Sequence, residues 1–336
     1  MKTLLLALVG TAYFCQPVSA RPRLALEMQL LEGAMREQKL VLYTTMDLPQ
    51  GIQVIHDFVQ KYPFLDLELH PLEPEALVAR VQNDYRSGGA GCDVLIGGGG
   101  LLRPLFEENV LASYHSLERG ALSEGFIDSE GYWSGYYVNS YVIAYNTILV
   151  KHTDVPKSYA DLLDSRWRGQ RIAIDHTAHA LLRGLTPAWG ETKALGYLKR
   201  LAAQHPVVAR GSIAAVDALH TGAVSLVIAR APVVQGYKEK LRSPVQWIFV
   251  EPIVAQIDAL MLAARSRHPH AARLFVNFAL SREGQGTFAS VQQIPIRRDM
   301  EATKAARSRT WFVERPDQQG NVQETVRLFR EIFGIR

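Results

Sequence analysis

Residues 40–100 read LVLYTTMDLPQGIQVIHDFVQKYPFLDLELHPLEPEALVARVQNDYRSGGAGCDVLIGGGG, and the alternation inside this stretch decides the fold class. LVLYTT (40–45) is a short apolar run of the kind that forms a buried strand. DLPQGIQVIHDFVQKYP (47–63) then sets apolar residues at helical spacing, with Asp47 placed to cap the helix and Pro63 to stop it. LDLELHPL (65–72) alternates as a strand does, EPEALVARVQNDYRSGG (73–89) returns to helical spacing, and CDVLIG (92–97) is a strand again. Strands and helices taking turns imply a parallel sheet with helices on its faces, an α/β fold.

The stretch closes on four glycines, Gly97, Gly98, Gly99 and Gly100. In open α/β sheets ligands collect at the carboxyl ends of strands, where loops run into helix N-termini and N–H groups point outward. Glycines there allow positive φ and close approach of backbone to a ligand; the same run equally suits a tight turn. Thr44 and Thr45 end the first strand beside them and offer hydroxyls, either to a ligand or to the helix that follows.

Outward from this core, LALEMQLLEGAMREQK (24–39) has helical spacing, and MKTLLLALVGTAYFCQPVSA (1–20) has the form of a secretory signal peptide ending small-x-small at Val18-Ser19-Ala20. The chain of 336 residues, 48% apolar and 21% charged, has globular composition and length for two cores, and the mature protein is expected to be soluble in the periplasm. Its formal charge of +4, one unit of it from Lys2, is scattered without a basic block, which excludes an obvious nucleic-acid surface. Cys15 falls within the signal, leaving Cys92 alone and without an intrachain disulfide partner.

Further along, the rhythm repeats. YVIAYNTILV (141–150) reads as a strand, SYADLLDSRWRG (158–169) as a helix and turn, and RIAID (171–175) as a strand opening onto HTAHALLRGL. ETKALGYLKRLAAQHP (191–206) and IAAVDALHTG (213–222) are helical, with VVARGS (207–212) between them, and AVSLVIA (223–229) is a strand leading to RAPVVQGY. No Pro-rich or Ser-rich linker separates the halves, so two lobes joined by strands are expected.

Several segments in this order, LVLYTTMD, CDVLIG, GYWSGYYVNSYVIAYNT, VPKSYADLLDSRWRGQRIAID and HPHAARLFVNFALSREGQGTFAS followed by IPIRRD, resemble the periplasmic solute-binding proteins of ABC importers. The branch they resemble holds the ferric-iron, phosphonate, thiamine and sugar-phosphate binders. The resemblance implies a two-lobed periplasmic-binding-protein-like (type II) fold with strand hinges, closing on a small-molecule solute and docking on membrane permease subunits. It divides the chain into the signal peptide 1–20, a first lobe of 21–139 and 256–300, and a second of 140–255 and 301–336. Crossings would lie near Tyr136 to Tyr141 and Ala255 to Leu262. A monomer is expected, with no nucleic-acid partner and no cofactor.

The departures from that group bear on the ligand. Ferric-binding relatives place adjacent tyrosines after the strand corresponding to AVSLVIA, since Fe(III) prefers hard oxygen ligands. This chain has Ala229, Arg230, Ala231 and Pro232 there. A guanidinium cannot ligate iron, whereas its planar fork of donors matches carboxylate or phosphate. Asp175 closes RIAID, and His176 and Thr177 follow it; His176 and His179, three apart, match a partial metal pair beside Asp175, or an Asp cap with two imidazoles. Tyr136 lies at the crossing, where its ring is expected either to stack on a ligand or to pack under the hinge.

No phosphate-loop GKS/T, HExxH, G-x-S-x-G or dinucleotide fingerprint occurs, so the chain is read as a binding protein and not an enzyme. The expected ligand site comprises Thr44, Thr45, Gly97 to Gly100, Tyr136, Asp175, His176, Thr177 and Arg230, without catalytic or metal-ligand residues, for a small anionic organic solute. Alternatives are a ferric or other metal-ion carrier, and a sensor or a secreted transferase on the same fold, the last with Cys92 as nucleophile.

Overall fold

The computed structural model describes residues 20–46, 48–89, 91–98, 102–290, 293–301, 310–315 and 322–335. After helix α1 (Ala20–Glu37), the stretch that opened the sequence reading folds as β1 (Lys39–Thr44), α2 (Leu48–Lys61), β2 (Asp66–Pro71), α3 (Pro74–Arg86) and β3 (Val94–Gly98). β1 pairs in parallel with β2 and with β3. Every residue of β1 after Lys39 is buried because helices cover both faces of a parallel sheet, whereas the edge strand β2 stays half-exposed along its length.

The chain continues through α4 (Leu102–Glu107), β4 (Leu111–Ala112), β5 (Ser134–Asn146), β6 (Ile172–Asp175), α5 (Ala180–Trp189), α6 (Glu191–Ala202) and β7 (Val207–Ala209). Then come α7 (Gly211–His220), β8 (Leu226–Arg230), α8 (Ala231–Lys240), β9 (Val245–Ile248), β10 (Ile253–Ala263), α9 (Pro269–Leu280), α10 (Arg282–Ser290), β11 (Ile294–Pro295), β12 (Trp311–Glu314) and α11 (Val322–Phe333).

β5 is the strand that both halves share. Ser134 to Ser140 pair antiparallel with β10, which in turn pairs antiparallel with β3, giving the order β2-β1-β3-β10-β5. From Tyr141 onward β5 pairs instead with β8 and β9, and the order continues β5-β8-β6-β7 with β6 parallel to its neighbours. The result is a two-lobed α/β fold in which long strands run from one half to the other.

Apolar side chains fill both faces of both halves. Phe58, Phe275, Phe278 and Phe288 lie on one face of the first and Leu77, Val81, Cys92 and Met261 on the other. In the second half Tyr159, Leu181, Leu198 and Phe329 lie on one face and Val142, Ala173, Val216 and Val234 on the other. Phe329 belongs to α11, which thereby packs on α5 and α6.

Three segments differ from the sequence expectation. SYADLLDSRWRG forms two 3-10 turns, Tyr159–Leu163 and Ser165–Trp167, instead of a helix; Ser158 and Asp161 form a capping box on the first. The strand expected from Tyr141 starts at Ser134 and ends at Asn146. β3 runs through Gly98, past the expected end of the strand.

Candidate functional site

Three parallel strands end side by side at one edge of the second half, and each passes into a helix: β6 through the turn 176–179 into α5, β7 into α7, β8 directly into α8. The residues at these helix starts, His179, Arg210 and Arg230, make no capping bond with their own side chains, and the three helix N-termini lie at this one edge of the sheet.

Asp175 organises this edge. Its carboxylate is buried and accepts the Thr177 backbone N–H (2.8 Å), the Thr177 hydroxyl (2.9 Å) and the Ser212 hydroxyl (2.5 Å). Ser212 Oγ in turn accepts the backbone N–H of Arg230 at 3.2 Å. His176 Nδ1 accepts the Gly211 N–H at 3.0 Å and lies 3.4 Å from the Asp175 carboxylate. One side-chain network thus holds the ends of β6, β7 and β8 together.

Arg230 is the cation at the centre. It pairs with Tyr141 across β8 and β5, and the Tyr141 hydroxyl donates to the Thr177 carbonyl at 3.3 Å. Burial opposes the charge on the guanidinium, but Tyr141, Asp258 and Asp175 outweigh it and raise the pKa. His179 has the opposite fate: burial, with Arg183 and Arg230 beside it, pushes its imidazole down to about 3. Asp258 reaches the cluster from β10, opposite Gly98 on one side and Tyr137 on the other, where the pairing with β5 bulges.

Asp175, His176, Thr177 and Arg230, expected from sequence, are therefore brought together. Thr45 is half-buried at the end of β1 and its N–H donates to the Ile96 carbonyl. Thr44 is corrected: its hydroxyl, 2% exposed as a residue, accepts the Met46 N–H at 2.9 Å and is turned inward. Gly97 and Gly98 are corrected too, since they continue β3 opposite Ala259 and Asp258 without positive φ; a Cβ on Gly98 would stand 3.6 Å from Asp258 Oδ1. Gly99, Gly100 and the capping residue Asp47 lie outside the described residues.

Tyr136 is not brought to the cluster. It is 1% exposed, with its ring 4.4 Å from that of Phe288, and belongs to the core of the first half; the adjacent Tyr137 packs on the same ring at 4.8 Å. The sequence reading missed Tyr141, Asp258 and Asn139, all of which stand on the shared strands. Only strand pairing reveals them, because a lone polar residue in an apolar run carries no periodic signal.

Cys92 cannot serve as a nucleophile: it is buried, and burial with Asp93 and Asp84 nearby drives its thiol pKa far up. Among the described residues no three His, Cys, Asp or Glu side chains are grouped to hold a metal ion, and no helix is long and apolar enough to cross a membrane. A groove of about 310 Å³ lies away from the cluster, between α1 and α9, lined by Leu26, Leu30, Leu117 and Arg273 among others.

Comparison with known proteins supplies the family context. The family model described as bacterial extracellular solute-binding protein matches residues 92–311. Among curated proteins, an uncharacterized protein of Haemophilus influenzae is 26% identical over 195 residues, a match spanning 55% of this chain and about half, 54%, of that relative. Iron-bound HitA from Pseudomonas aeruginosa superposes with a TM-score of 0.75 at 22% identity, covering 88% of this chain and 99% of its own. The substrate-binding protein of an ABC transporter from Agrobacterium tumefaciens gives 0.77 at 14% identity, covering 88% and 94%. The ferric-binding protein of Campylobacter jejuni gives 0.70 at 18%, covering 87% and 99%. At these identities the solved structures establish a shared fold.

Proposed function

The chain belongs to the bacterial extracellular solute-binding proteins, and from that premise we propose that it is the periplasmic receptor of an ABC importer for a small organic anion. The observation that carries this reading is Arg230, a half-buried cation whose charge is held by Tyr141, Asp258 and Asp175, at the edge where three helix starts converge. Helix N-termini and a guanidinium both favour negative charge, and the Thr177, Ser212 and Asp175 bonds fix their geometry in advance. Thr45, half-buried where β1 ends, would meet the solute from the first lobe.

Lobes of 21–139 with 256–300 and of 140–255 with 301–336 fit this reading, since the change of pairing partner at Ser140 and Tyr141 supports a hinge there. The packing of α11 on α5 and α6 supports its assignment to the second lobe. Closure would follow from a solute that contacts both lobes and so binds the closed state more tightly. Export through removal of residues 1–20 and release of the solute to a membrane permease complete the proposal.

A metal-carrier reading draws support from fold neighbours described as iron-bound HitA and a ferric-binding protein. The residues Ala229, Arg230, Ala231 and Pro232 at the end of β8 speak against it here, since none is an iron ligand. Native mass spectrometry of gently purified exported protein tests the two together. An organic anion released on denaturation, with affinity lowered by about 2 kcal/mol or more in Arg230→Ala, is the expected result. Bound iron in the absence of any anion would overturn it.

A further inference from the structure

Asn139 stands on β5 next to Ser140, the last residue there to pair with β10, and two before Tyr141, the first to pair with β8. It is 3% exposed, yet its Oδ1 is buried without a hydrogen-bond partner among the described residues. Native interiors rarely leave a buried carboxamide oxygen without a donor, because the water it gave up is not replaced.

Strand alternation places Asn139 on the face of β5 that carries Tyr137 and Tyr141, the residues opposite Asp258 and Arg230. The unmet acceptor therefore lies between the glycine strand of the first lobe and the cation of the second. Along an extended strand it is about 7 Å from Tyr141, the span of a short organic molecule.

We propose that Asn139 Oδ1 accepts a hydrogen bond from a hydroxyl or amino group of the solute, and that the solute is an anion carrying such a donor at the end remote from its charge. The assignment rests on the reading of Arg230 as the anion site. A fully ionised inorganic oxyanion offers acceptors alone; it would satisfy Arg230 and leave Asn139 bare. A solute with both groups would instead engage both ends of the site, and a buried acceptor rejects an analogue that lacks the matching donor.

The test uses the exported chain and pairs of anions that differ by one terminal hydroxyl: butyrate with 4-hydroxybutyrate, propanesulfonate with 3-hydroxypropanesulfonate, propyl phosphate with 3-hydroxypropyl phosphate. By titration calorimetry the hydroxylated member of the favoured pair should bind at least tenfold more tightly. In Asn139→Leu that advantage should fall below threefold, while Arg230→Ala weakens both members alike. Should Asn139→Leu fail to fold by circular dichroism, the isosteric Asn139→Asp replaces it; retaining the acceptor, it should keep the hydroxyl preference while binding both members more weakly.

Equal binding of the two members by the natural protein, or an advantage that survives in Asn139→Leu, overturns the role of Asn139 and leaves the anion site standing. Binding of no anion from any pair overturns the anion site, and this inference with it.

Discussion

Ser212 shows how much of the site depends on one hydroxyl. It donates to Asp175 and accepts from the Arg230 backbone, so Ser212→Ala leaves a buried carboxylate oxygen and a half-buried N–H each one partner short. A loss of about 1–3 kcal/mol in urea unfolding is expected, and anion affinity should fall with it because Arg230 loses its anchor. His179 gives a pH signature. Its pKa near 3 in the folded chain lies below that of an exposed imidazole, near 6.5, so on acidification the unfolded chain takes up a proton that the folded one refuses. The stability this gives is fully present above pH 6.5 and declines as pH falls toward 3, by about 2 kcal/mol between pH 6.5 and 5. Thermal melts over that range should show the decline in the natural protein and a flatter profile in His179→Asn. At this scale the sequence displayed Arg230 and Asp175, because a charged residue closing an apolar strand stands out. It hid Asn139 and Asp258, whose meaning depends on which strands lie beside them.

Among the elements, α1 packs along α9, with Ala34 in the core of the first half, and specific polar contacts fix its end. Glu37 at its end accepts the N–H groups of His270 and Ala271, at 3.1 and 2.8 Å, and the His270 ring at 2.7 Å, and so caps the first turn of α9 from another helix. Gly33 lets the two helices touch: a Cβ there would fall 2.2 Å from the His270 ring. Glu37→Ala should cost about 1–2 kcal/mol, the range of a lost helix cap, and limited proteolysis should cut α1 sooner in Gly33→Ala than in the natural chain. The strands were legible where helices bury both faces, since β1 and β3 then read as unbroken apolar runs. The length of β3 was not, because Gly97 and Gly98 have no side chains to alternate, and only pairing with Ala259 and Asp258 makes them strand. Tyr136 misled for a related reason: both faces of β5 are covered, so an aromatic on it reads the same whether it meets a ligand or, as here, Phe288.

In the whole molecule, two sheets with their own apolar clusters share β5 and are spanned by β10, and the charged network crosses between them through Asp258 and Arg230. A long strand twists more readily than it stretches, and the bulge between Asp258 and Ala259 interrupts the ladder where such twisting would concentrate. A solute that joins Arg230 to the first lobe therefore favours the arrangement in which the lobes are nearest, by its difference in affinity for the two arrangements. A single compact chain of this length has a radius of gyration of about 20 Å, and closure of a cleft reduces the measured value. Small-angle scattering should record that contraction when a tightly bound hydroxylated anion is added, and none for Arg230→Ala at the same concentration. At a hundredfold excess over Kd the same solute should also raise stability by about 2.7 kcal/mol. A ligand that raises stability without contraction would place its site within one lobe, and Asn139 and Arg230 could not then be reading opposite ends of the same molecule across the hinge.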